Sequence, residues 1–218
     1  MEAHFWHQRW ENKEIGFHAS EVNPFLRSHI SQLKLQAGDH IFLPLCGKTK
    51  DIAWLLEQGY QVTGAELSEI AVKELFQELR ITPTTKALGE LTEYSSGPLR
   101  ILVGDIFQVN ADILGSVQAI YDRAALVALP DTMRTQYTAH LIQITQTAPQ
   151  LLITYFYNQQ LIAGPPFALS DTEVHIHYAS TYHIAQLECQ EVAGGLKGKV
   201  PSQETVWLLT AAQSEQQT

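Results

Sequence analysis

His40-Ile41-Phe42-Leu43-Pro44, followed by Leu45-Cys46-Gly47-Lys48-Thr49 and, one amphipathic stretch later, by Tyr60-Gln61-Val62-Thr63-Gly64-Ala65-Glu66, decides the fold. Each apolar run is short enough for a buried strand, and the stretch between them, Thr49 to Gln58, has room for two helical turns. The unit recurs downstream. Further apolar runs lie at Arg100 to Gly104, Val117 to Tyr121 and Leu151 to Tyr155, with amphipathic stretches at Ser68 to Leu79 and Asp131 to Thr147. Strands that alternate with helices make a parallel sheet covered on both faces, because a parallel connection needs a crossover. Upstream, Val22, Phe25, Leu26, Ile30 and Leu33 recur at helical spacing, and Gly38 follows where that helix stops. Downstream, Tyr182 to Val192 and Thr205 to Ala211 are joined by a Gly/Lys/Pro-rich connection, Gly194 to Pro201, too short for a crossover helix. The expected fold is therefore α/β: a doubly wound, seven-stranded, mostly parallel sheet with an antiparallel C-terminal hairpin.

The 218 residues are 45% hydrophobic and 17% charged, which suits a folded globular chain and argues against disorder. We expect a single domain over 1–218, with 1–37 as an N-terminal segment covering the active site. Loose ends are expected in the first few residues and in the polar tail after Ala212. The charge of −9, from 14 Lys+Arg against 23 Asp+Glu, offers no footprint for a phosphate backbone, so no nucleic-acid partner is expected. The absence of a long apolar run or a basic-then-apolar start points away from membranes and toward the cytoplasm. Cys46 and Cys189 have neither disulfide-framework nor zinc spacing. Of the nine histidines, His175 and His177 share a face if their segment is extended and His4 and His7 share one in a helix, but no third ligand follows from the spacing, so no metal is expected.

In an open α/β sheet, ligands bind beyond the carboxyl ends of the strands. The first such turn, Pro44 to Thr49, lacks the glycines of a P-loop or a dinucleotide fingerprint, yet it is tight enough to bring backbone amides to a ligand. After the second strand, Glu66 stands about twenty residues beyond that turn, where a carboxylate accepts from ribose hydroxyls; the alternative is a role in capping the next helix. After the third, Asp105 is placed to accept from an adenine amino group while Ile106 packs on the ring, or else Asp105 simply bonds its own turn. After the fourth, Asp122 and Arg123 make either an internal ion pair or a cation offered to the acceptor. An NAD-dependent oxidoreductase would use the same sheet but needs the missing glycine fingerprint, and a non-catalytic binding protein would show cofactor affinity without turnover.

Taken in order, Trp6-His7-Gln8-Arg9-Trp10-Glu11, Ile15-Gly16-Phe17-His18, Asn23-Pro24-Phe25-Leu26, Pro44-Leu45-Cys46-Gly47-Lys48-Thr49-Lys50-Asp51, the Glu66 turn, Gly104-Asp105-Ile106-Phe107, Tyr121 to Leu126 and Gly164-Pro165-Pro166-Phe167 resemble the thiopurine S-methyltransferases. The resemblance implies a class I, Rossmann-like fold and S-adenosylmethionine as methyl donor. It implies a cofactor site lined by Trp10, Leu45, Glu66, Asp105, Ile106 and Arg123, and an acceptor pocket covered by Phe17, Pro166 and Phe167 with Arg123 between the two. Without the resemblance, Trp10 reads equally as core packing. The acceptor is then a small aromatic or heterocyclic thiol, or a selenium or tellurium species in detoxification, handled by a monomer. No general base is expected. Asp122 is the reserve candidate, and orienting Arg123 is its expected role.

Overall fold

The computed structural model describes residues 3–16 and 18–212. The expected loose ends at the first two residues and after Ala212, and the candidate Phe17, lie outside the described residues. Helix α1 (Ala3–Glu11) and helix α2 (Pro24–His29) precede the sheet. Asn23 caps α2 by accepting from the amides of Phe25 and Leu26, with Pro24 at the first helical position, and a 3-10 turn (Ile30–Leu33) completes the amphipathic stretch.

Strands β1 (His40–Leu43), β2 (Gln61–Glu66), β3 (Thr84–Leu88), β4 (Leu91–Ser96), β5 (Leu99–Val103), β6 (Ala119–Arg123), β7 (Gln150–Tyr157), β8 (Tyr182–Glu191) and β9 (Ser202–Ala211) form one sheet in the order β3-β4-β5-β2-β1-β6-β7-β9-β8. The central five, β5-β2-β1-β6-β7, pair in parallel, and each flank is antiparallel. All seven expected strands are present. The sheet has nine strands because of a hairpin, β3–β4, that hydropathy does not announce: β3 is an edge strand whose residues are almost all exposed. Gly89, at φ 64°, opens its two-residue turn and so lets Leu88 pair with Leu91.

Helices α3 (Lys50–Glu57) and α4 (Glu69–Leu79) lie on one face with α2; α5 (Ala111–Leu114), α6 (Asp131–Ile144) and α7 (Asp171–Tyr178) lie on the other. The period-2 alternation of the strands sorts the core between these faces. On β1, Ile41 and Leu43 pack with Ile52, Leu55 and Val72, whereas Phe42 packs with Tyr137, Leu141 and Tyr178. Each fully buried side chain of this kind contributes about 1.5–3 kcal/mol. The segment carrying His175 and His177 is helical, begun by a capping box in which Ser170 and Glu173 bond each other's backbone amides, so the two histidines do not share a strand face. Successive connections run outward from β1 in opposite directions, through β2 to β5 and through β6 to β7, so the switch point opens between β1 and β6.

Candidate active site

At that switch point lies a cavity of about 610 Å³, within the ~300–1,000 Å³ usual for small-molecule sites. Its floor is made by the turns after β1, β2, β5 and β6. Its cover comes from α1 and the segment to Ala19, from Pro165 and Pro166, and from Val192, Leu196 and Lys197 of the β8–β9 connection. A second hollow, of about 530 Å³, lies beside α4, but Lys48 there is already paired with Glu74 and Glu78 at 2.8 and 2.7 Å.

The turn after β1 doubles back through left-handed backbone at Leu45 (φ 47°) and Gly47 (φ 54°), a conformation that costs a side-chain-bearing residue roughly 1–2 kcal/mol. The Cys46 amide still bonds the Ala65 carbonyl at 3.0 Å, so the turn stays in register with β2. A Cβ at Gly47 would meet the Trp10 ring at 3.3 Å: the indole, only 4% exposed, lies on this glycine and on the cavity wall at once. Packing and a place at the site are the same position.

Glu66 is 6% exposed on the cavity wall. Its Oε2 accepts from the Gly47 amide at 2.7 Å and its Oε1 from the Ser68 amide at 2.8 Å, so one carboxylate ties two rim turns together. Burial raises its pKa despite those backbone donors. Capping falls to Ser68, whose Oγ accepts from the Ala71 amide. A carboxylate has about four acceptor positions, so Glu66 retains capacity toward the cavity. A buried acceptor with spare lone pairs beside a glycine of close approach fits the ribose end of an adenosyl cofactor.

Asp105 does bond its own turn: Oδ1 accepts from the Phe107 amide at 3.0 Å. It also lines the cavity, with buried Ile106 beside it. Gly104, at φ 141°, lets the strand end pack against β4, since a Cβ there would fall 2.7 Å from Leu91 Cδ2. Asp122 and Arg123 point to opposite faces of the sheet, as neighbours on a strand must. Asp122, fully buried, accepts from the Leu126 amide at 3.0 Å and from the Tyr137 hydroxyl at 2.8 Å, and burial raises its pKa to about 6. It fixes the turn after β6 rather than pairing with or orienting the guanidinium. Arg123 lines the cavity, and among the described residues no hydrogen bond or ion pair holds its side chain.

The 164–167 loop contributes Pro165 and Pro166 to the lining. Phe167 is not among the lining residues; its ring folds over Gly164, where a Cβ would fall 2.3 Å away, and lies 5.9 Å from the Arg134 guanidinium. Trp10, Leu45, Glu66, Asp105, Ile106, Arg123 and Pro166 thus converge on one cavity. The sequence reasoning passed over Arg9, His18, Tyr155 and Lys197, which share it. Tyr155 lies within the fifth parallel strand, two residues before its end at Tyr157, so attention to the residues just past each strand does not reach it. Lys197 donates to the Pro165 carbonyl at 2.9 Å, and burial followed by repulsion from Arg9 lowers its pKa. Burial and then Lys48 lower that of His18. Among the described residues there is no group of three or more His, Cys, Asp or Glu able to hold a metal ion.

The family model for thiopurine S-methyltransferase matches residues 1–211. This chain belongs to the thiopurine S-methyltransferase family. It is 50% identical to the thiopurine S-methyltransferase of Xanthobacter autotrophicus over 97% of this chain and 100% of that one, and 46% identical to that of Gluconobacter oxydans over 94% and 93%. Among solved structures, the fold is shared with the Burkholderia thailandensis 1,6-didemethyltoxoflavin-N1-methyltransferase bound to S-adenosylhomocysteine (TM-score 0.65, 13% identity, 95% of this chain and 87% of that one). It is also shared with magnesium protoporphyrin IX methyltransferase from Synechocystis (TM-score 0.63, 11% identity, 96% and 100%). Membership makes the protein an S-adenosylmethionine-dependent methyltransferase with a small-molecule acceptor. Among the described residues no helix is long and apolar enough to cross a membrane.

Proposed function

We propose that this chain methylates the sulfur of small aromatic or heterocyclic thiols, thiopurines and related selenium nucleophiles included, as a cytoplasmic monomer. Trp10, Leu45, Glu66, Asp105, Ile106 and Arg123 contact the cofactor, and Arg123 and Pro166 face the acceptor, with Phe167 bracing the loop. Helix α1 and the described residues up to Ala19 act as the cover, whereas the rest of the expected 1–37 segment, α2 included, packs on a face of the sheet. The observation that carries this reading is Glu66: a buried carboxylate bridging the amides of Gly47 and Ser68, with acceptor capacity left toward the cavity.

Bound S-adenosylmethionine supplies an electrophilic methyl group on a sulfonium. The work of the protein is placement and exclusion of water. Glu66 accepts from the ribose hydroxyls, Asp105 from the adenine amino group, and Ile106 packs on the ring. Arg123, bound to no carboxylate, favours the thiolate over the thiol. Trp6 and Trp10 with Pro165 and Pro166 form apolar walls that hold sulfur near methyl and keep water out.

The test is calorimetry with S-adenosylmethionine and with NAD, then labelled methyl transfer to a series of aromatic thiols. Saturable binding of the first alone, with transfer, is expected; binding of NAD or absence of transfer overturns the reading. An Arg123→Ala variant should lose most turnover with the thiols of highest pKa. Equal loss across the series, or none, removes the electrostatic role.

A further inference from the structure

Behind the cavity wall, the strand register places three polar side chains in a row on one face of the sheet. Arg123 on β6 pairs with Ile153 on β7; Tyr155 lies two residues further along β7 and pairs across to Glu204 on β9. Residues paired across strands share a face, and so do residues two apart along one. Tyr155 lines the cavity; Glu204 does not, and stands half-buried behind it. Tyr155 and Glu204 are direct cross-strand partners, and each side chain acts on the titration of the other. The other groups acting on Glu204 are Arg123 and Tyr121, from β6. This cross-strand pair runs from the cavity to a carboxylate outside it, and the proposed reaction has so far given it no task.

We propose that Tyr155 and Glu204 form a proton outlet for acceptors that enter the cavity still protonated. The proposal rests on the reading of this cavity as a thiol methylation site. As the sulfur–methyl bond forms, the methyl–sulfonium bond breaks and its electron pair stays on the departing thioether. The acceptor's S–H, or the N–H of its thione form, breaks, and that proton passes to Tyr155 Oη. Tyr155 gives its own proton to Glu204, which ends neutral and returns it to water. Both transfers belong to one movement, since burial and the nearby Glu204 push the Tyr155 pKa far up and a free tyrosinate does not form. Burial raises the Glu204 pKa, even against the opposing influence of Tyr155 and the pull of Arg123, which makes it a better proton acceptor than an exposed carboxylate.

Two variants test this, Tyr155→Phe and Glu204→Gln, each against acceptors whose pKa spans from well below to well above the assay pH. Calorimetry with S-adenosylmethionine serves as a readout apart from turnover, and binding within threefold of the unaltered protein is expected. Expected in both variants is a kcat loss of about a hundredfold or more for the high-pKa acceptors, at least ten times the loss for ionised thiols. A purely electrostatic role for Glu204 has the opposite sign, because removing its negative charge favours a thiolate near Arg123 and speeds the high-pKa acceptors. Equal losses across the series, or faster turnover of high-pKa acceptors, overturn the relay alone. No methyl transfer by the unaltered protein to any acceptor overturns the parent reading and the relay with it.

Discussion

The floor and the cover of the cavity are held by different kinds of bond. On the floor, Glu66 accepts from the amides of Gly47 and Ser68, Asp105 from that of Phe107 and Asp122 from that of Leu126, so acidic side chains are fixed by the backbone of the turns that follow the strands. In the cover, Lys197 reaches the Pro165 carbonyl and Arg9 lies 3.4 Å from Glu14, long side chains meeting loop partners. A floor set by backbone suits an invariant ligand; a cover set by side chains can be retuned one residue at a time.

Four substitutions break or sharpen the contrast, in descending order of effect. Glu66→Ala removes the tie between two rim turns and two acceptor positions for ribose, each charged hydrogen bond worth about 1.5–3 kcal/mol. S-adenosylmethionine affinity measured by calorimetry should fall by about two to four orders of magnitude. An unchanged affinity would deny the floor its cofactor role. Asp122 tests the floor through pH. Burial lifts its pKa in the folded state to about 6 from the ordinary aspartate value of 3.8, so the native state holds this proton more tightly than the unfolded chain. Stability on the order of 3 kcal/mol is thus fully present below the unfolded pKa and lost as pH rises through about 6. Urea unfolding from pH 4 to 7 should show that slope, and Asp122→Asn should flatten it.

Gly64→Ala probes the floor from beneath, where a Cβ would lie 2.6 Å from Cys46 Sγ and 2.7 Å from Ile101 Cδ1. Overpacking of this kind costs about 1–3 kcal/mol, read as a lower urea midpoint. Lys197→Ala belongs to the cover and should have the smallest consequence, a several-fold change in acceptor KM with cofactor affinity unchanged. A matching fall in cofactor affinity would show that floor and cover are not separable.

Legibility in the sequence followed the same division. The central strands and the turns after them were readable because a buried parallel strand is a continuous apolar run, and each one points to the residues just past its end. Glu66, Asp105, Ile106 and Arg123 were found that way. The β3–β4 hairpin escaped because Thr84, Thr85 and Lys86 are exposed and bury no alternating stripe, although Gly89 and Glu90 marked its turn. Arg9 and Lys197 escaped for another reason: they reach the site from an N-terminal helix and from a loop between antiparallel strands, and local spacing does not encode where such segments come to rest. The pairing expected between Asp122 and Arg123 failed on strand geometry alone, since adjacent residues face opposite sides.

The contact between Trp10 and Gly47 gives the molecule an optical handle. Two of its four tryptophans, Trp6 and Trp10, border the cavity, whereas Trp207 is buried in the opposite core and its indole N–H donates to Thr154 at 2.9 Å. Indole emission responds to changes of polarity around the ring, so occupancy of the seat is legible in the native fluorescence without any label. Trp10→Phe, read beside Trp207→Phe, would tell the signal of the seat from that of the interior.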